Sequence, residues 1–397
     1  MRKAIVAHAG SRDHYQLALA LNEINSLQKL VTDFYSPGIL AFLFPYFKKR
    51  YRDGIESSKV HNSYEIVFKQ IIQKFNKENQ ELFYRHQDEE LSRLALNFSN
   101  RTNSNLFLYS YYAYHAFKNY TGSNKKLLFQ VHPHPLTVKR ILKEEMNRVP
   151  EAKHSLSNEL EMVLSDEILG QLVAEPEMAD NIVVASGFTK KSLIENGIDK
   201  NKIQVIHYGV DFDRFKIKNK KQDKNKILQL IFVGNIIQRK GIYYLLEAMK
   251  LLKSKNVNLT LCGRKIDKEL VRTYKVLDNI DIKLNLNKRE LSKQLNQSDI
   301  FVFPSLIEGF GLVIPEAMAS GLPVITTNNT AGADIIENGK QGYIIPIRSA
   351  EKIAEKIEKF LMEKNYFDMG IEAEKKARDY TWERFRAGIA EFYKNYG

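Results

Sequence analysis

Apolar and polar positions along this chain follow two rhythms, and in both halves a short apolar run gives way to helical spacing. Lys3 to Ala7 is an apolar run, Gly10 and Ser11 break it, and a helical pattern follows from His14 to Leu27. A second apolar run, Leu30 to Phe34, completes a βαβ opening, the signature of a parallel sheet. Residues 39–120 read as helical and aromatic, with no distinct strand. Lys126 to Val131 reads as a strand that ends in His132-Pro133-His134-Pro135, followed by helices over 136–147 and 155–175. Asn181 to Ala185, Thr189 to Asn196 and Ile203 to Ile206 then read as strand, helix and strand.

From Asp211 to Lys226 the chain turns polar, and six of its last eleven residues there are lysine, as expected of a solvated connector between folded units. Beyond it the alternation is regular. Strands are expected at Ile227 to Val233, Val257 to Leu261, Ile280 to Leu286, Ile300 to Phe303 and Pro323 to Thr326. Helices are expected at Lys240 to Ser254, Arg289 to Gln297, Leu312 to Ala319, Ala350 to Glu363 and 371–396. The reading is an α/β chain with two Rossmann-like domains, 1–210 and 211–379. A C-terminal helix over 380–397 is expected to pack back onto the first domain. In such sheets ligands bind beyond the carboxyl ends of the strands.

Composition narrows the class. With 44% hydrophobic and 27% charged residues, the 397-residue chain can bury ordinary cores rather than stay disordered. Its one cysteine, Cys262, excludes an internal disulfide or a Cys-cluster zinc site and fits a reducing cytoplasm. The opening MRKAIVAHAG is too short an apolar run for a signal peptide, and no stretch reads as a membrane span. The formal net charge is +13, divided as +9 over 1–150, −6 over 151–200 and +10 over 201–397. Such an excess suits phosphate ligands, an anionic membrane surface or nucleic acid. The apolar run Ile39 to Phe47 meets Lys48, Lys49, Arg50 and Arg52, which gives the expectation of loose binding to an anionic membrane surface. A buried helix with a solvated basic end reads the same residues equally well.

Three segments carry candidate chemistry. In FPSLIEGFGLVIPEAMASGLPVI (Phe303 to Ile325) a strand enters a Gly-rich turn and then a helix with Pro315 in its first turn. Amides near Phe310, Gly311 and Leu312 at such a start suit a phosphate, with Glu308 and Glu316 on either side to accept from sugar hydroxyls. In the second, Gly234 ends a strand and Arg239-Lys240-Gly241 stands at the following turn, where two cations can neutralise a diphosphate. In the third, His132 and His134 follow a strand two residues apart, a pair not expected to share one metal. Asp211-Phe212-Asp213 lies in the connector and reads as a turn, and no metal cluster is visible.

These segments, with NIVVASGFTKKSLIENGI, IQVIHYGVDFDRF, FVGNIIQRKGIYYLLEA and DIIENGKQGYII in the same order, resemble the retaining GT-B glycosyltransferases of glycosyltransferase family 4. The resemblance is specific over 181–345, weaker over 1–20 and 126–148, and nearly absent over 36–120. It implies two Rossmann-like domains whose parallel sheets face each other across a cleft. It also implies transfer of a hexose-type sugar, with retention and without a metal or cofactor, from a nucleotide-diphosphate sugar to a glycan or lipid-linked acceptor. Cell-surface polysaccharide synthesis at the cytoplasmic face of the membrane is the expected setting, and nucleic acid is not an expected partner. By resemblance Glu308 contacts the transferred sugar and Glu316 the ribose. Phe310, Gly311 and Leu312 hold the distal phosphate and sugar, Arg239 and Lys240 the diphosphate, and His132, or alternatively His134, faces the sugar. Gly10 closes on the phosphates. Asn235 stands where many relatives have arginine, which leaves more of the charge to Arg239 and Lys240. A non-catalytic sugar-nucleotide or polyanion binder of the same fold is the alternative.

Overall fold

The structure is a computed structural model that describes every residue except 37, 44–46, 48, 76–79, 216–226, 253–254, 273 and 275–276. Most of the lysine-rich connector therefore lies outside the described residues. Two parallel sheets organise the chain. The first contains β1 (Ala4–Ala7), β2 (Leu27–Thr32), β3 (Val60–Asn62), β4 (Asn105–Tyr109), β5 (Lys126–Gln130), β6 (Asn181–Val184) and β7 (Ile203–Val205), in the order β3-β2-β1-β4-β5-β6-β7. The second contains β8 (Leu228–Val233), β9 (Val257–Gly263), β10 (Ile280–Leu284), β11 (Ile300–Phe303), β12 (Val324–Thr327) and β13 (Gly342–Ile345), in the order β10-β9-β8-β11-β12-β13. Both are doubly wound. Their strand order reverses between β1 and β4 and between β8 and β11, and crevices open at the carboxyl ends there. Helices cover both faces, which is why β1, β4 and β11 are buried at every position.

The two halves exchange helices. Phe385, Ile389, Phe392 and Tyr393 of the last helix, Trp382–Tyr396, belong to the core of the first sheet. The Tyr393 hydroxyl donates to the Arg2 carbonyl at 2.8 Å and accepts from Asn105 Nδ2 at 2.9 Å. In return Val138, Ile141 and Leu142 of the helix Pro135–Arg148 belong to the core of the second sheet. At the centre of that contact Glu145, fully buried, accepts from Gln238 Nε2 at 2.6 Å, the Tyr244 hydroxyl at 2.9 Å and Arg348 Nε at 2.7 Å.

Several sequence expectations are corrected. The second strand spans Leu27–Thr32, earlier than Leu30 to Phe34, because Leu27 and Leu30 both face the core. The aromatic stretch read as helical holds two strands, β3 and the central β4. Residues 155–175 form pieces of three helices, Lys153–Ser157, Leu160–Val163 and Asp166–Met178. The tail over 371–396 is two helices, Tyr366–Ala377 and Trp382–Tyr396. The basic cluster next to the Ile39 run is also not a set of free cations. Arg50 bonds Asp33 through both terminal nitrogens, at 3.0 and 3.1 Å, and Asp33 is buried. Its charge is offset inside the fold, so Arg50 leaves the proposed membrane contact. Lys48 is outside the described residues, Lys49 is exposed and Arg52 half-buried.

Candidate functional site

The two reversal points bring His132, Arg239, Lys240 and Glu308 together. After β1 the chain turns through Gly10, whose amide donates to Asp33 Oδ1 at 2.9 Å, and presents Arg12. After β4 comes Tyr111, and after β5 comes His132, whose ring lies edge-on to Tyr111 at 5.7 Å. From the second sheet, β8 leads to Arg239 and Lys240, and β11 to Ser305 and Glu308.

These last two turns are tied to each other. Leu306 N donates to the Arg239 carbonyl at 3.0 Å, and Ser305 Oγ to the same carbonyl at 3.2 Å. Gly241 follows with φ +73°, and a Cβ there would stand 2.0 Å from the Pro304 carbonyl oxygen, so only glycine lets the turns approach. Lys240 Nζ then contacts Glu308 Oε1, which also accepts from Ser305 Oγ at 2.9 Å. The expected helix begins at Val313, with Glu316 half-buried in its first turn.

The Gly-rich turn also meets the other domain directly. A Cβ on Gly309 would lie 2.1 Å from the Val131 carbonyl oxygen, immediately before His132. The Gly309 carbonyl accepts from Ser186 Oγ at 2.6 Å and Thr189 Oγ1 at 3.1 Å. Phe310 is buried with its ring 5.5 Å from that of Tyr208, while Leu312 remains exposed. Glu308 and His132 are thus held at one seam by contacts that leave little play.

The two histidines separate cleanly. His134 is buried, its amide donates to Ser192 Oγ at 2.9 Å, and its Nδ1 accepts from Leu136 N at 3.3 Å. It is the N-cap of the helix Pro135–Arg148. His132 instead lines a cavity. Burial first, then the charges of Arg12, Arg239 and Lys240, push its pKa down to about 3. Cations from both domains therefore surround one neutral imidazole. In a nuclear magnetic resonance titration of the unliganded protein, His132 is expected to stay neutral above about pH 5, and a bound diphosphate to raise its midpoint. An ordinary midpoint near 6.5 in the unliganded protein would contradict this cluster of cations.

Reading the sequence did not single out Arg12, or the two acids that hold Arg239. Arg239 NH1 lies 3.0 Å from Glu159 Oε2 and 3.1 Å from Glu161 Oε2, so part of its charge is already offset. Arg12 was accessible as a cation two residues after the Gly10 turn. Glu159 and Glu161, nearly eighty residues away in sequence, carried no such signal. Among the described residues, no group of three histidine, cysteine or acidic side chains is placed to hold a metal ion.

Two doubly wound domains joined at such a seam define the GT-B fold, and sucrose-phosphate synthase from Thermosynechococcus elongatus superposes over 100% of this chain and 99% of its own, with a TM-score of 0.67 at 16% identity. Residues 212–380 match the family model described as glycosyl transferases group 1. The capsular polysaccharide biosynthesis glycosyltransferase CapM of Staphylococcus aureus is 32% identical over 197 residues, 46% of this chain and 52% of CapM. The UDP-Gal:alpha-D-GlcNAc-diphosphoundecaprenol alpha-1,3-galactosyltransferase of Escherichia coli is 32% identical over 174 residues, 39% of this chain and 44% of that enzyme. The chain spans about half the length of the curated relatives it matches.

Proposed function

We propose that this protein is a glycosyltransferase that moves a hexose-type sugar, with retention, from a nucleotide-diphosphate sugar to a glycan or lipid-linked acceptor in polysaccharide synthesis. The observation that carries the reading is the convergence of Arg12, Arg239 and Lys240 on His132, with Glu308 against Lys240. Breaking an anomeric bond leaves positive charge on the sugar and negative charge on the departing diphosphate. Fixed cations stabilise the second of these and a fixed carboxylate the first. Lys240 and Glu308 neutralise each other before the donor arrives, and a diphosphate drawn to Lys240 leaves Glu308 facing the sugar. In this reading Glu316 takes the ribose, and Phe310, Gly311 and Leu312 line the phosphate and sugar. The relatives named for capsular synthesis and for a diphosphoundecaprenol acceptor support the pathway class and the acceptor class.

Work at a membrane face belongs to the same reading. Among the described residues no helix is long and apolar enough to cross a membrane. Ile39 and Phe42 are 70% and 87% exposed, and Lys49 in the same stretch of sequence is exposed too, which supports peripheral contact.

The test is release of nucleoside diphosphate from a panel of UDP- and GDP-hexoses, with and without EDTA. Release from at least one donor, unchanged by chelator, is expected because the site's own cations supply the charge. Loss in EDTA with recovery in magnesium would overturn the metal-independent part. No release and no binding of any donor, with salt-sensitive binding of nucleic acid instead, would favour the polyanion binder.

A further inference from the structure

The acids that hold Arg239 come from the first half of the chain but are fixed by the second domain. Leu156 and Met162, one on each side of Glu159 and Glu161, pack against the core of the second sheet. The helix Lys153–Ser157 touches the turn Gln238–Lys240, and Glu161 is only 3% exposed. The acidic pair and the donor turn therefore belong to one packed unit.

Both carboxylates meet the same terminal nitrogen of Arg239, at 3.0 and 3.1 Å. Among the described residues its other two nitrogens donate to nothing, so they are left for a ligand. Burial works against the charge of Arg239, but Glu161, Glu159 and Glu308 raise its pKa above the ordinary arginine value. The empty site is thus balanced, with Arg12, Arg239 and Lys240 set against Glu159, Glu161 and Glu308. Such a balance does not serve tight binding of a diphosphate, but it serves release. When the anomeric bond breaks, its electron pair stays on the diphosphate oxygen while the sugar passes to the acceptor. The new terminal phosphate has a second pKa of about 6, so near pH 7 the product carries about one more negative charge than the diphosphate of the donor. Cations that stabilise this leaving group also hold the product, and product release limits turnover in many enzymes.

We propose that Glu159 and Glu161 are positioning residues that limit the site's hold on the nucleoside diphosphate product. They fix one terminal nitrogen of Arg239, leave the rest of the guanidinium to the phosphates, and offset charge that would otherwise slow release. The inference rests on the glycosyltransferase reading and adds to it the means by which the same site discharges its product.

The experiment uses the full chain as wild type, Glu159→Gln, Glu161→Gln and the double variant. Glutamine keeps an oxygen for Arg239 and removes the charge. UDP and GDP are titrated by calorimetry, and uridine and guanosine by ligand-observed nuclear magnetic resonance. The double variant is expected to bind the diphosphate that wild type prefers about 10-fold more tightly, and each single variant about 3-fold, with nucleoside affinity changed by less than about 2-fold. Stopped-flow displacement of a fluorescent analogue of that diphosphate is expected to show dissociation slowed by about the same factors. A damaged fold would loosen binding, so tightening confined to the diphosphate is not a structural effect. Should Glu161→Gln fail to fold, Glu159→Gln decides alone, since that carboxylate is 18% exposed. Unchanged or weaker diphosphate binding, an equal gain for the nucleoside, or a gain carried by faster association alone overturns the proposal. A wild type that binds neither diphosphate and turns over no nucleotide sugar defeats the transferase reading. Diphosphate binding by wild type without tightening in the variants defeats this inference alone.

Discussion

Lys240→Ala is expected to weaken donor binding by about 10- to 100-fold and to lower turnover with it. Two effects add. A charge-assisted hydrogen bond to the diphosphate, worth about 1.5–3 kcal/mol, is lost. Glu308, which Lys240 and Ser305 hold in the unliganded site, also loses its counter-charge and then faces the incoming phosphates as a bare anion. The double variant Lys240→Ala, Glu308→Gln should therefore recover part of the binding while remaining poor in turnover. Calorimetry with the nucleoside diphosphate separates these contributions. Unchanged affinity in the single variant would remove Lys240 from the diphosphate site.

Arg348→Ala is expected to give the largest loss of stability. Arg348 reaches Glu145 at 2.7 Å, Glu144 at 2.9 Å and the Ile141 carbonyl at 2.9 Å, and so fastens a helix of the first half onto the second domain. Without it the fully buried Glu145 keeps only the neutral donors Gln238 and Tyr244. Removing one partner of a buried ion pair costs about 3–5 kcal/mol. In a domain of this size that corresponds to a fall of roughly 6–20 °C in Tm. Glu144→Ala, at a partly exposed carboxylate, should cost no more than about 1 kcal/mol and serves as the control. Equal Tm values for the two variants would show that the clamp does not hold the seam.

The second half was the more legible because its chemistry is local. Strand, glycine-rich turn and helix follow one another within about twenty residues of Phe303. A turn that must approach a backbone, as Gly241 does at Pro304, leaves its glycine in the sequence. The N-terminal half hid its central strand. Asn105–Tyr109 is followed at once by more aromatics, and β4 is buried on both faces, so neither alternation nor a clear boundary marked it. The pair of histidines shows the same limit on a smaller scale. The sequence offered His132 and His134 two residues apart, but not which would cap a helix and which would face the cavity.

The sequence by itself determined two α/β halves, a glycine-rich turn beside two acids, and a pair of cations at a strand-to-helix turn. These follow from periodicity and from residues close together in the chain. Only the tertiary structure decided that Arg12 joins Arg239 and Lys240 around His132, that Glu159 and Glu161 hold Arg239, and that Arg50 serves Asp33 rather than solvent. It also decided that the aliphatic stripe Leu160–Leu172 lines a cavity. A one-dimensional pattern records whether a side chain seeks apolar surroundings or an opposite charge. Which partner meets that need depends on strand order and domain packing, which bring together groups many tens of residues apart.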